Sequence, residues 1–359
     1  MKILFDITHP AHVHFFKNSI ETLSSLDHEV LITSRQKDCT IDLLDELGFP
    51  HTSISRQGNG STLAMAKELF HRNRELRSII KHENPDKLAA LGGTSAAQTG
   101  FLTGTPSVIF YDTEDARLQN IITYPFCTRI VVPECYRGWV PSRKVVRYPG
   151  FHELSYLAPE YFRPDRQKAT ANGLDANRDT FFIRIVSWQA SHDAGMHGWT
   201  KETLLEVVDF LGKHGKVIIS SESTLPDALL SMAYTGPLNE VHHLLSFCRL
   251  YVGESATMAS ESVVMGVPAI YAAPGFRGYI SHQEKHYKMA RFIPKPTTTS
   301  IISACDEMMK LSHKAISQQH QRLLSECVDV NRMIIRILLD TDHRIPETDD
   351  LDPQSPRNR

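Results

Sequence analysis

Short runs rich in β-branched residues alternate with helical patterns along almost the whole 359-residue chain. A strand that rejoins its sheet through a helix runs parallel to its neighbour, because such connections cross over in a right-handed sense. The alternation therefore predicts α/β domains with parallel sheets. In the first half, the predicted strands are 3–7, 28–34, 87–91, 107–111, 128–132 and 145–147, and the predicted helices are 13–26, 40–47, 63–82 and 95–102.

The alternation stops at a proline-bearing stretch and then starts again. Residues 148–165 hold three prolines and show no clean periodicity, which is typical of an interdomain linker. After it, the predicted strands are 180–186, 216–220, 250–252 and 267–271, and the predicted helices are 201–211, 239–247 and 256–265, with two or three more up to about residue 340. We therefore predict an N-terminal domain at 1–150, a linker at 151–165, a C-terminal domain at 166–340 and a disordered polar tail at 341–359.

The composition excludes several classes of protein. A net charge of -2 provides no basic field that would attract a nucleic-acid backbone, so no nucleic-acid partner is expected. No apolar run approaches the length that spans a bilayer. The chain opens directly on a strand, without the sequence of a secretory signal peptide, so a cytoplasmic location is the default expectation.

The most specific pattern of the second half lies in residues 239–274. A helix leads into a short strand and then into the small-residue loop 253–257, where the next helix opens. Small residues let a ligand approach the backbone, and the amides and positive dipole of a helix N-terminus attract phosphate. Glu261, one to two turns inside that helix, can accept hydrogen bonds from both hydroxyls of a ribose. The alternative is a close helix–strand junction in which Glu261 is a solvated first-turn acid.

Two loops of the first half carry titratable groups directly after strands. His9, His12 and His14 follow the first strand, and His12 at a helix start could act as a general base or bind a phosphate, unless it only caps and packs. Acids at 112, 114 and 115 follow the strand at 107–111, where they cost free energy unless they are solvated or used. Asp115 is predicted as a helix N-cap, and an ordinary capping loop is the alternative for the whole group.

The unit at 239–274 resembles the nucleotide-sugar signature of the GT-B superfamily. The families it is most similar to are the membrane-associated N-acetylglucosaminyltransferase of peptidoglycan synthesis and the UDP-N-acetylglucosamine 2-epimerases. The opening, from MKILFDITHPAHVHFF to HEVLITSR, also resembles a prokaryotic domain family of unknown function with a predicted GT-B fold. The resemblance runs along most of the chain and implies two facing Rossmann-like domains with parallel sheets.

This resemblance also implies a set of site residues. In the similar families, a small-residue loop holds the diphosphate, a glutamate in the following helix holds the ribose, and polar residues further on contact the sugar. The implied nucleotide-sugar residues are Arg184, Ser187, Gly253, Ser255, Ala256, Thr257, Glu261, Gln283 and Glu284. Arg184 could instead pair with a nearby acid. An acid after the strand that corresponds to 107–111 faces the sugar in both families, so Asp112 and Glu114 join His12 as catalytic candidates.

The resemblance favours a glycosyltransferase. In the epimerases, the turn after the strand that matches 87–91 carries a catalytic aspartate, whereas this chain has Gly93 and Thr94 there. We therefore expect transfer of a sugar from a nucleotide-sugar, with uridine as the family-level preference, to a glycan or lipid-linked acceptor of surface-polysaccharide assembly. We expect no metal and no cofactor. The alternatives are a UDP-N-acetylglucosamine 2-epimerase-like isomerase and a non-catalytic nucleotide-sugar-binding protein.

The long helix at 63–82 carries apolar residues beside Lys67, Arg72, Arg74 and Arg77. This pattern fits a peripheral contact with an anionic membrane, and it also fits a basic outer face on a helix that packs on the core.

Overall fold

The computed structural model describes residues 1–56, 62–114, 116–186 and 198–340, which form two compact units. Unit 1 comprises Met1–Tyr156 together with the segment that begins at Cys327, and unit 2 comprises Leu157–Glu326. Each unit is built on its own parallel sheet with helices between the strands. The predicted α/β class with two parallel sheets is therefore confirmed.

Unit 1 contains a seven-stranded parallel sheet in the order β3-β2-β1-β4-β5-β6-β7. Its strands are β1 (Lys2–Ile7), β2 (Glu29–Gln36), β3 (Thr52–Arg56), β4 (Lys87–Leu91), β5 (Ser107–Phe110), β6 (Arg129–Pro133) and β7 (Val145–Tyr148). Its helices are α1 (Pro10–Ser25), α2 (Thr40–Glu46), α3 (Thr62–Glu83), α4 (Thr94–Thr103) and α5 (Arg117–Thr123), and α6 (Leu154–Leu157) lies where the units divide. The central strands are buried along nearly their full length, which explains their continuous apolar runs.

Unit 2 contains a five-stranded parallel sheet in the order β12-β11-β10-β8-β9. Its strands are β8 (Asp179–Ile185), β9 (Gly215–Ser221), β10 (Leu250–Gly253), β11 (Ala269–Tyr271) and β12 (Ala290–Phe292). Its helices are α7 (Arg166–Ala171), α8 (Lys201–Gly212), α9 (Val241–Leu245), α10 (Ala256–Val264), α11 (Gly278–His282), α12 (Thr298–Met309) and α13 (His313–Glu326). Short 3-10 turns at Asp227–Met232 and Leu238–Glu240 precede α9, and a π-helical turn at Gln283–Tyr287 follows α11.

The strand order locates the switch point of each sheet. In unit 1 the order reverses between β1 and β4, and in unit 2 it reverses between β8 and β10. Ligands of open α/β sheets bind outside the carboxyl ends of the strands at these points. The loops after β1 and β4 in unit 1, and after β8 and β10 in unit 2, are therefore where a site is expected.

The end of the second predicted domain requires a correction. The last helix, α14 (Val330–Leu339), falls inside the predicted C-terminal domain at 166–340, but it packs in unit 1. Its buried Asn331 accepts a hydrogen bond from Ser19 Oγ of α1 at 2.8 Å and donates to the carbonyl of Ser155. The apolar side chains of α14 bury their surface on unit 1, a destination that helical periodicity cannot reveal.

Within the described ranges, no helix is both long and apolar enough to cross a lipid bilayer. The same residues contain no group of three or more His, Cys, Asp or Glu side chains positioned to hold a metal ion.

Candidate functional site

Gly253 ends β10 at the switch point of the second sheet. A Cβ atom on this glycine would lie 2.4 Å from the carbonyl oxygen of Arg184 on the adjacent strand β8. No side chain fits at that distance, so Gly253 is required for the two strands to approach each other. Close strand packing accounts for this glycine, and its part in binding a nucleotide-sugar stays a prediction.

The turn after β10 opens α10 with a capped N-terminus. The Ser255 hydroxyl accepts a hydrogen bond from the Met258 amide at 3.3 Å, and the Tyr251 hydroxyl donates to the Ser255 carbonyl at 3.0 Å. Ala256 is buried and Thr257 is exposed in the first turn. The three predicted residues Ser255, Ala256 and Thr257 therefore stand at a helix N-terminus, where the backbone amides and the helix dipole favour an anion.

Glu254, which the sequence-based prediction did not include, anchors the neighbouring loop. Its carboxylate accepts hydrogen bonds from the Val186 amide at 3.0 Å and from the Trp199 amide at 2.8 Å. These two amides lie on either side of residues 187–197, so Glu254 joins the end of β8 to the segment that leads into α8. Ser187 lies outside the described residues, as does Asp115 of unit 1.

Glu261 is buried on α10 and paired with a histidine. The glutamate is 6% exposed, and its Oε1 lies 3.1 Å from Nε2 of His242 on α9. Removing a carboxylate from water is costly unless it is paired, and His242 provides that partner. The alternative interpretation of Glu261 as a solvated first-turn acid is therefore wrong. Sequence reasoning could not select His242, because it lies on a different helix.

Arg184 engages protein groups on the neighbouring strand. Its guanidinium donates to Ser220 Oγ at 2.7 Å and forms an ion pair with Glu222 just past the end of β9. Glu222 is thus the nearby acid that was predicted as one of the two partners of Arg184. A role for Arg184 in binding phosphate would require this ion pair to be shared or exchanged.

Gln283 and Glu284 begin the π-helical turn but point to different partners. Gln283 is fully buried and donates to Ser260 Oγ of α10 at 2.8 Å, while its Oε1 has no hydrogen-bond partner among the described residues. Glu284 accepts from the Phe292 amide at 3.3 Å and lies 3.6 Å from Arg291. Gln283 therefore belongs to the α10 cluster, whereas Glu284 is tied to β12.

In unit 1, the turn between β1 and α1 contains two of the three predicted histidines in structural roles. His9 caps α1 by accepting from the Ala11 amide, and His12 Nδ1 accepts from the Thr8 amide at 3.3 Å. Burial lowers the pKa of His12 to about 3, with a smaller contribution from His9. Because Nδ1 is an acceptor, the proton of the neutral ring is on Nε2. His12 therefore stays uncharged across the physiological pH range.

This buried neutral ring predicts a pH dependence of stability. A folded-state pKa below the unfolded value of 6.5 means that the unfolded chain binds a proton the folded chain excludes. The contribution of His12 to the free energy of unfolding is therefore fully present above pH 6.5. It decreases by about 1.4 kcal/mol for each pH unit below 6.5, until the pH reaches the folded-state pKa. His12→Asn keeps an acceptor for the Thr8 amide, and should reduce the slope of unfolding free energy between pH 6 and 5. Equal slopes for the two proteins would show that His12 protonates when folded.

Asp112 follows β5 and pairs with a second histidine. Its Oδ2 lies 3.4 Å from Nδ1 of His152, and its Oδ1 accepts from the Thr113 hydroxyl at 2.9 Å. His152 is buried against the ring of Phe15, with 4.4 Å between ring centroids, and its Nε2 has no partner in the part of the chain that is described. Asp112 keeps a quarter of its side chain exposed, so it is the accessible member of the pair.

Glu114 and Glu153 add to the negative charge near Asp112. Glu114 Oε1 accepts from the Arg137 amide at 3.2 Å, and Glu153 is buried. Burial raises the pKa of the nearby Cys135 thiol, and the charges of Glu114, Glu153 and Asp112 raise it further. The sequence-based prediction missed His152 and Glu153, because they lie in the stretch interpreted as linker. The available indication was a histidine followed by an acid within five residues of the end of β7.

The turn after β4 is shaped by close packing. A Cβ on Gly93 would lie 2.2 Å from that of Ala90, and the Thr94 hydroxyl lies 2.8 Å from the Thr123 hydroxyl. The carboxamide of Gln119 donates to the carbonyl of Gly92. The turn thus presents small and neutral groups at the position where the epimerase resemblance would require an acid.

Comparison with known proteins identifies related sequences of unknown function. A family model described as a protein of unknown function, DUF354, matches residues 1–338. An uncharacterized protein of Methanocaldococcus jannaschii is 22% identical, over 76% of this chain and 82% of that protein. The predicted resemblance to a family of unknown function is confirmed.

Solved structures with the same fold include epimerases and glycosyltransferases. The UDP-GlcNAc 2-epimerase of Neisseria meningitidis bound to UDP-GlcNAc aligns with a TM-score of 0.67 and 11% identity, over 94% of this chain and 100% of that chain. The M. jannaschii UDP-GlcNAc 2-epimerase gives 0.68 and 14%, over 94% and 99%. Spinosyn rhamnosyltransferase complexed with thymidine diphosphate gives 0.64 and 13%, over 95% and 100%. These likenesses confirm the GT-B fold class.

Proposed function

The chain belongs to the DUF354 family, and we propose that it is a GT-B glycosyltransferase whose unit 2 holds a UDP-sugar. The observation that carries this proposal is the arrangement at the carboxyl end of β10. A capped helix N-terminus stands at the switch point of the sheet, and a buried carboxylate, Glu261, lies two turns along that helix. A phosphate group suits the first feature and a ribose suits the second.

The proposed donor site uses the groups around α10. The N-terminus of α10 would stabilise the charge that develops on the diphosphate as the sugar leaves, which requires neither a metal nor an organic cofactor. Glu261, which lies beside His242, would accept hydrogen bonds from the ribose, since an ionised carboxylate can accept about four. Gln283 is fully buried, so its unpartnered Oε1 would accept from a hydroxyl of the sugar only if the π-helical turn at Gln283–Tyr287 opens on binding.

We propose that Asp112 deprotonates the acceptor hydroxyl, with His152 as a positioning residue. His12 is a poorer candidate because its Nδ1 is occupied by the Thr8 amide and its ring is largely buried. Glu114 is also less suited, since it holds the Arg137 backbone. The acceptor would be a glycan or lipid-linked sugar of surface-polysaccharide assembly.

A second candidate is an isomerase that acts on UDP-N-acetylglucosamine. Its support is the fold likeness to two UDP-GlcNAc 2-epimerases and the acids gathered around Asp112. The neutral turn at Gly93 and Thr94 favours transfer instead. Incubation of UDP-N-acetylglucosamine without any acceptor distinguishes the two functions, because an isomerase forms the 2-epimer and a transferase does not.

The donor site is tested by a thermal-shift screen against UDP, GDP, CMP, ADP and their sugar conjugates. We expect UDP or a UDP-sugar to raise the melting temperature, since a ligand present at about 100 times its Kd stabilises the folded state by about 2.7 kcal/mol. The shift should be lost in Glu261→Gln, which keeps the side-chain shape, and retained in Glu206→Gln, which changes an exposed acid of α8. If no nucleotide shifts the protein at millimolar concentration, the proposed donor site is wrong.

A further inference from the structure

The outward side of α3 carries a stripe of cationic and large apolar side chains. Successive members are four and three residues apart, which places them on one face of the helix. All are exposed, and Phe70 is 73% exposed. The stripe consists of Leu63, Lys67, Phe70, Arg74, Arg77 and Lys81 and contains no acid.

The apolar character continues across the two neighbouring helices. The carboxamide of Asn73 on α3 donates to Gln98 of α4 at 2.7 Å, and Gln98 donates in turn to the Ile122 carbonyl of α5 at 2.9 Å. The three helices are thus joined side by side, and α4 has no charged residue. These helices and the loop after β6 expose eight large apolar side chains, which are Leu63, Met65, Phe70, Phe101, Leu102, Leu118, Ile121 and Trp139. We call these residues and the α3 cations the α3–α5 surface.

The cations of this surface have no acidic partners. Lys67, Arg74, Arg77 and Lys81 form no ion pair with any residue that the structure describes. The three acids of α3, Glu68, Glu75 and Glu83, lie off the stripe, and the first and last of them are already engaged. Glu68 forms a bidentate pair with Arg35 at 2.6 and 2.7 Å, and Glu83 lies 3.2 Å from Lys2. The α3 stripe therefore carries four cations and no acid, and Glu75 is the one acid of the helix with no described ion pair.

We propose that the α3–α5 surface binds an anionic lipid bilayer. Apolar and aromatic side chains at the level of the lipid headgroups gain from burial, and cations among them gain from anionic lipids. A second copy of this chain fits less well, because a two-fold contact would place the same cations against each other. This binding is separate from the proposed reaction, and neither depends on the other.

The charge requirement is tested by co-sedimentation of the full chain with phosphatidylcholine vesicles and with vesicles that also contain phosphatidylglycerol. We expect binding to the anionic vesicles and little binding to the neutral ones. Replacing both Arg74 and Arg77 by Gln should weaken binding to the anionic vesicles about 25-fold, because each cation removed lowers the affinity about fivefold. The matched control replaces Lys213 and Lys310 by Gln. These two exposed lysines of unit 2 follow α8 and α12 directly, each pairs with an acid of the helix before it, and their replacement should leave binding unchanged.

The apolar requirement is tested by Phe70→Ser and Trp139→Ser. Both side chains are exposed, so the melting temperature should stay the same while binding weakens about tenfold for each aromatic removed. Equal sedimentation with both vesicle types, or an equal loss in the unit 2 control, would overturn the proposal. A dimer in light scattering that the same substitutions dissociate, without vesicle binding, would overturn it in favour of self-association.

Discussion

Replacing Arg72 by methionine is expected to lower the free energy of unfolding by about 3–5 kcal/mol, because it leaves a buried charge without its partner. Arg72 is buried on α3 and its guanidinium lies 2.5 Å from Oδ1 of Asp6 on β1. Asp6 is only 1% exposed, and its remaining contact at that oxygen is the Thr33 hydroxyl at 2.9 Å. Its Oδ2 has no partner in the described chain. Urea denaturation of the two proteins measures the difference.

Two further variants isolate the cause of this loss. Arg74→Met removes an exposed arginine from the same helix and should change the unfolding free energy by less than about 0.5 kcal/mol. Replacing both members of the pair, with Asp6→Val added to Arg72→Met, should recover most of the loss, because no uncompensated charge then remains. If Arg72→Met destabilises no more than Arg74→Met, the buried pair does not stabilise the fold.

Arg72 also marks a limit of inference from sequence. The pattern predicts the helix at 63–82, and α3 spans Thr62–Glu83. Lys67, Arg74 and Arg77 are exposed as the pattern suggests, whereas Arg72 is buried. Periodicity places Arg72 on the helix, but the carboxylate that pairs with it lies 66 residues away on β1. Arg72 and Asp6 come together only in the folded unit. Arg72 therefore belongs neither to a membrane-binding face nor to a solvent-exposed basic face of the helix.

The two strands that sequence analysis missed, β3 and β12, are short and lie at the edges of their sheets. The predicted strand 87–91 coincides with β4, because a buried strand of a parallel sheet is continuously apolar. By contrast, β3 is the edge strand of its sheet and exposes most of its residues, and β12 has three residues at the edge of the second sheet. These two strands are too short or too exposed to show a strand pattern, whereas the edge strands β7 and β9 bury enough apolar residues to be predicted.

For the candidate site, local sequence predicted the loops but not the residues that pair with their side chains. The loops after β1, β5 and β10 could be selected because a strand followed by polar or small residues is visible in the sequence. The partners could not be selected: His152 pairs with Asp112, and His242 pairs with Glu261, from other segments of the same unit. Glu254 was overlooked because its two amide donors are far along the chain. The sequence therefore indicates where a site lies, and the fold determines which residues hold one another in place.

The proposed catalytic role of Asp112 predicts the largest effect on activity. Asp112→Asn preserves the side-chain size but removes the base, so turnover should fall about 10²- to 10⁴-fold. The measurement is UDP release from the donor that gives the largest thermal shift, with an extract of membrane lipids and oligosaccharides as the source of acceptor. The thermal shift by the donor should be unchanged in this variant, because unit 2 is proposed to hold the nucleotide.

Glu114→Gln is the matched comparison for Asp112→Asn, since it removes a charge from the same loop. The Gln side chain can still accept from the Arg137 amide, so turnover should fall less than about tenfold. A larger loss in Glu114→Gln than in Asp112→Asn would transfer the role of base to Glu114. If His12→Asn, Asp112→Asn and Glu114→Gln all leave UDP release at the unmodified rate, unit 1 contributes no base from these loops. A nucleotide-sugar-binding function without catalysis would then account better for the structure than a transferase would, because binding requires only the groups around α10.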